Sequence, residues 1–144
     1  MKKIAALLVG ALIAVPAVSG PVTLTFRNLS QTDKMKVSKV TSCGILSPYP
    51  KDILPGMTSV PSSTDCGIGL STASVVYTMG VKSCTFQVTT VYTQPNYLFN
   101  PPLPGYWTPT VKATSAGGAI CRVVSQDASQ FFLNGGFGAT FSMK

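Results

Sequence analysis

Beyond residue 21 the apolar positions of this chain recur in short alternating runs, and none keeps a 3.6-residue helical period for long. Val, Thr, Tyr and Phe fill those runs, while Gly, Pro, Asn and Asp separate nearly all of them. The pattern predicts strands at Val22–Arg27, Lys34–Ser42, Thr58–Ser62, Ser71–Met79, Ser83–Thr93, Thr110–Ala116, Ala119–Ser125, Gln130–Asn134 and Ala139–Met143. Eight or nine short antiparallel strands without a helix read as an all-β fold, an antiparallel β-sandwich.

Local turn chemistry sharpens part of this picture. Gly80-Val81 suits the centre of a type II′ turn, which wants glycine first. That register sets Tyr77 opposite Cys84, Val75 opposite Phe86 and Ala73 opposite Val88, so one face of the hairpin is apolar. Gly117-Gly118 offers a second hairpin, between Val111–Ala116 and Ala119–Val124, but there Thr114 meets Cys121 and the faces are mixed. Met35 and Val37 share a face that Val40 leaves, which predicts a bulge near Ser38. In the last strand Phe137, Ala139, Phe141 and Met143 fall on one side. Asn28-Leu29-Ser30 matches the glycosylation pattern, yet it reads better as a turn. Gly135-Gly136-Phe137-Gly138 lacks the lysine of a phosphate loop and reads as a glycine-rich hairpin.

Residues 1–19 have a different character. Lys2-Lys3 precede an apolar run from Ile4 to Val15, followed by small residues at Ala17 and Ser19. This is the layout of a bacterial-type secretory signal peptide, with a cut expected after Ser19 and Ala17 as the alternative. Residues 20–144 then form a single secreted β-sandwich domain, in the medium or the periplasm. Removing Lys2 and Lys3 takes the formal charge from +7 to +5. Only Lys34, Lys36 and Lys39 cluster, which suits a solvated strand edge and gives no basic stripe for nucleic acid.

Cys43, Cys66, Cys84 and Cys121 all lie beyond the leader, and an even count in an exported chain points to disulfides. Of three connectivities, Cys43–Cys66 with Cys84–Cys121 is favoured. No two cysteines lie within a turn of each other and the chain has no histidine, so no metal site or cofactor is expected. Beyond the leader there is also no glutamate. The acids Asp33, Asp52, Asp65 and Asp127 each sit in a turn-like setting, where aspartate usually bonds nearby backbone. Without a histidine to activate a serine, and with no spacing that pairs two carboxylates, the chain is read as a non-enzyme.

One segment resists the strand pattern. "NYLFNPPLPGYWTP", residues 96–109, holds four aromatic rings and four prolines. Prolines fix the backbone and remove donors, so this stretch is expected to stay outside a sheet centre and to hold its rings at low entropic cost. Tyr97, Phe99, Tyr106 and Trp107 are the candidate ligand-binding residues. Two readings stand side by side: the rings cap an open end of the sandwich, or they form a contact platform for a bilayer interface, a sugar face or a partner protein.

The order of "VTLTFRNL", "KMKVSKV", "DILPG", "CGIG" and "ASVVYTM" resembles small β-sandwich proteins of the aegerolysin and actinoporin-like cytolysin type. The resemblance covers Val22 to about Tyr92 and implies binding to membrane lipid. The two expected disulfides and the basic charge depart from that family's usual character, and no site residue carries over. The expected function is association with a membrane surface or lipid through the 94–110 loop, of cytolysin-like kind. The alternative is an adhesive or structural module that recognises glycan or protein within a larger assembly, with a homo-oligomer as one form of it.

Overall fold

The structure, a computed structural model, describes residues 19–144, and nearly all of the expected leader lies outside the described residues. Eight strands follow in order: β1 Val22–Asn28, β2 Lys36–Ser42, β3 Ser62–Thr64, β4 Leu70–Met79, β5 Lys82–Thr93, β6 Tyr106–Ala116, β7 Cys121–Asp127 and β8 Phe137–Met143. A single helical turn, α1 (Phe131–Asn134), precedes β8. The strands form two four-stranded sheets, ordered β3-β1-β8-β7 and β2-β4-β5-β6.

The two sheets close on one apolar core because the central strands alternate, with only Ser142 of β8 buried out of turn. Val22, Leu24 and Phe26 of β1 point inward, as do Phe137, Ala139, Phe141 and Met143 of β8. From the other sheet Ala73, Val75 and Tyr77 of β4 meet them, with Cys84, Phe86 and Val88 of β5. Four rings fill the middle. Phe26 lies 4.9 Å from Tyr77, 5.6 Å from Phe86 and 6.0 Å from Phe141, and Phe86 lies 4.9 Å from Phe141, centroid to centroid. The one polar atom of this cluster, the Tyr77 hydroxyl, donates to the Lys51 carbonyl at 3.1 Å.

The β4–β5 hairpin has the register that its turn predicts, Tyr77 opposite Cys84, Val75 opposite Phe86 and Ala73 opposite Val88. Gly80 takes a φ of 59°, and no residue other than glycine has positive φ among the described residues. The β2–β4 ladder shifts between Val37 and Lys39, which is the bulge that the apolar pattern of β2 requires. Both disulfides have the favoured pairing, Cys43–Cys66 and Cys84–Cys121, and the second joins β5 of one sheet to β7 of the other.

Five expectations are corrected. Gln130–Asn134 is not a strand: Phe131–Asn134 is a helical turn closed by Gly135, whose φ is 75°. Phe131, Phe132 and Leu133 are consecutive apolar residues without alternation, so nothing held them to a ladder. The glycines that follow therefore cap a helix and lead into β8 instead of turning a hairpin. β6 and β7 do not pair either, because the Gly117-Gly118 turn carries the chain from one sheet to the other. That crossing is why the faces of the two strands looked mixed when they were laid against each other. Not every pair is antiparallel: β1 and β8 run parallel, with Val22 beside Phe137 and Asn28 beside Met143. Finally, Thr58–Ser62 is mostly connection, and the short edge strand lies at Ser62–Thr64.

Asn28 is buried and its side chain is fully used. Its amide donates to the Asp33 and Ile53 carbonyls at 2.8 and 3.0 Å, and its oxygen accepts from the Ser30 amide at 2.9 Å. The Asn28-Leu29-Ser30 triplet is thus a turn.

Candidate functional site

The aromatic segment leaves β5 at Thr93 and returns as β6 at Tyr106. Asn96 and Leu103 exchange two backbone hydrogen bonds, at 2.9 and 3.0 Å, and so close residues 97–102 into a compact tab. The Asn96 side chain accepts from the Leu98 amide at 3.0 Å and holds the tab's first turn. Fastened at its base, the tab turns its apolar side chains outward. Leu98 is 95% exposed and Tyr97 is 76% exposed, and Phe99, Leu103 and Tyr106 are also open to solvent.

Trp107 behaves differently from the other three candidate rings. It belongs to β6, opposite Tyr92, and the two rings lie 5.0 Å apart. It is half-buried, with its indole pressed on the backbone of Gly135: a Cβ placed on that glycine would fall 2.3 Å from the ring. The segment 94–110 is therefore not all loop. Tyr106 to Pro109 pair with Thr90 to Thr93, and Pro109 is tolerated because β6 is the sheet's edge strand.

The Trp107–Gly135 contact brings the end of α1 alongside the start of β6. Phe131 turns back onto Phe137 in an edge-to-face pair at 5.8 Å, while Phe132, 91% exposed, and Leu133 point to solvent. A third segment reaches the same end of the sandwich, since Leu70 pairs with Val91 and the Tyr92 amide donates to the Gly69 carbonyl. Ile68 and Leu70 are both exposed. Of the rings named from the sequence, Tyr97, Phe99 and Tyr106 are exposed; Leu98, Leu103, Phe132, Leu133 and Ile68 are exposed as well and were not named. The available signal was the unalternating Phe131-Phe132-Leu133 run.

Charge is distributed unevenly between the two ends. Residues 66–81, 83–111 and 128–143 contain no Asp, Glu, Lys or Arg, and these are the segments that build the aromatic end. The cations Lys36, Lys82, Arg27, Arg122 and Lys144 lie toward the opposite end by register, near Thr78, Met79, Ser142 and Ile120.

None of the four carboxylates is idle. Asp52 pairs with Lys34 at 2.9 Å and accepts from the Val37 amide at 2.9 Å; the lysine contact first, then the amide, holds its carboxyl below the ordinary value. Asp127 accepts from the Ser129 amide two residues on, which lowers it as well. Asp65 accepts from the Gly67 amide, and Asp33 accepts from the Ser30 hydroxyl. Burial pushes the Tyr77 hydroxyl well above its usual range. No group of three or more metal-ligating side chains occurs among the described residues.

Two grooves complete the surface. One, about 390 Å³, lies along the β2–β3 connection and is lined by Tyr49, Ile53, Leu54, Met57 and Val60. The other, about 310 Å³, runs over the outer face of β1, β8 and β7 and is lined by Thr23, Thr25, Ser125, Asp127 and Thr140. No helix among the described residues is long and apolar enough to cross a membrane. No family model matches the chain, and no curated protein matches it. The two disulfides indicate an oxidising, extracellular-type environment.

Proposed function

We propose that this protein is exported and binds a membrane surface, seating its aromatic end in the bilayer interface. The observation that carries this reading is the exposure of Tyr97, Leu98, Phe99, Tyr106, Phe132 and Leu133 on two segments, 83–111 and 128–143, that contain no charged residue and meet where Trp107 rests on Gly135. Tyrosines supply polar edges for the headgroup level, and the leucines and phenylalanines supply apolar area for the acyl boundary. An exposed apolar surface of this kind marks an interaction site. Arg27, Lys36, Lys82, Arg122 and Lys144 lie toward the other end, so the binding is driven by burial and is insensitive to salt.

Flotation with phosphatidylcholine vesicles tests this. The protein should float with them, equally at low and high salt. The double variant Tyr97→Ser, Phe99→Ser should lose roughly tenfold or more in affinity, equivalent to about 1.4 kcal/mol, with an unchanged melting temperature. Failure to float with neutral vesicles overturns the reading, and flotation that falls away at high salt overturns the salt argument.

A second reading is favoured by the hydroxyl-lined groove over β1, β8 and β7, where Asp127 and three threonines could hydrogen-bond a sugar. Binding on a glycan array that Thr25→Val removes and Phe99→Ser leaves intact would support this adhesive role.

A further inference from the structure

The residues at the start of the fold bear on where the leader is removed. Two small residues, Ala17 and Ser19, offer cleavage points in this part of the sequence. From the packing of Ser19 and Gly20, we infer that the cut falls after Ala17 and that the mature chain begins at Val18. This rests on the secretory leader read from residues 1–19 and is independent of what the protein binds.

Ser19 is wholly buried. Its amide donates to the Gly67 carbonyl at 2.8 Å. Its hydroxyl lies 3.0 Å from the Ser71 hydroxyl and 3.3 Å from the Leu70 carbonyl, and it also reaches the Gly67 carbonyl. Ser71, itself buried, donates onward to the Gly20 carbonyl at 3.1 Å. Gly20 is buried too, and its amide donates to the Asn134 carbonyl at 2.5 Å. A Cβ on Gly20 would lie 2.3 Å from the Asn134 side-chain oxygen, so nothing bulkier fits there. The 19–20 peptide is thus held between the Gly67–Ser71 segment and the end of α1.

Cleavage after Ser19 would have two costs. It would delete a residue that satisfies Ser71 and the Gly67 carbonyl. It would also turn the buried Gly20 amide into an ammonium, and burying a charge without full pairing is strongly unfavourable. Cleavage after Ala17 has neither cost. Water adds across the Ala17–Val18 amide, leaving a carboxylate on Ala17 and an ammonium on Val18, upstream of the packed pair.

The full precursor, expressed in a secreting bacterium and recovered from the periplasm or medium, should give an intact mass that begins at Val18. A mass beginning at Gly20, or any other residue, overturns the inference. As an independent check, chains made to begin at Val18 and at Gly20 should differ in melting temperature, the Gly20 chain being lower by roughly 4–8 °C. Equal melting would refute the packing argument on which the inference stands.

Discussion

Gly135 occupies a position that no other residue can take without loss. Its positive φ already disfavours a side chain, and the Trp107 indole fills the space where a Cβ would sit. Gly135→Ala should therefore destabilise by about 2 kcal/mol or more, since the left-handed angle alone costs roughly 1–2 kcal/mol. Trp107→Ala removes the other half of the contact. Because the ring is half-buried, the loss should be about 2 kcal/mol, below the ~3–5 kcal/mol of a fully buried ring. Its emission should sit between buried and exposed values, with partial quenching by iodide. Thr90 offers the opposite sign. It is wholly buried and its hydroxyl has no partner among the described residues, so Thr90→Val should stabilise by about 1 kcal/mol in a chemical melt. At Asp52 the folded carboxyl is held low by Lys34 and the Val37 amide. A depressed carboxyl adds stability above its unfolded value, 3.8, and loses it as pH falls through the lower folded value. Wild type and Asp52→Asn should thus differ at neutral pH and converge in acid, and the exposed setting of the pair keeps the gap small.

At the scale of elements, the β4–β5 hairpin depends on one residue of its turn. Gly80→Val should destabilise by about 1–2 kcal/mol, because a β-branched side chain resists the 59° φ, whereas Val81→Thr should be nearly neutral. Equal losses at both sites would mean that the turn is not set by Gly80. This hairpin was legible in the sequence because turn, register and face pattern are all local. So were the bulge after Val37 and the inward face of β8. The β1–β8 pairing was not, since no local signal brings Val22 to Phe137 across the length of the chain. Nor was α1, a single turn stabilised by Phe131 on Phe137 and by its glycine cap. The candidate site divides in the same way. Proline content marked the tab with Tyr97 and Phe99, but only the folded chain brings α1 and the Gly69 segment to the same end, through Trp107 and Tyr92.

For the whole molecule, the disulfides are the clearest constraint. Alkylation of the native protein should label no cysteine, since none is free. Replacing Cys84 and Cys121 together by serine should cost about 2–4 kcal/mol, because that bridge closes a long loop in the unfolded chain as well as joining the sheets.

The two bridges also leave one corner of the sandwich without a covalent link. Cys84–Cys121 lies toward the Met143 end, and Cys43–Cys66 lies beside Thr72 at the opposite edge from β6. The remaining corner, where β6 meets the end of α1, is held by the indole of Trp107 resting on Gly135. Breathing of the native state should therefore begin there. Amides of residues 131–135 and 105–108 should trade protons for deuterons well before those of β4 and β5, with an opening free energy far below that of global unfolding. Removing the indole should accelerate that exchange and leave the centre of the β4–β5 ladder slow. The end proposed to meet a bilayer is then also the end that can loosen while the rest of the fold stays shut.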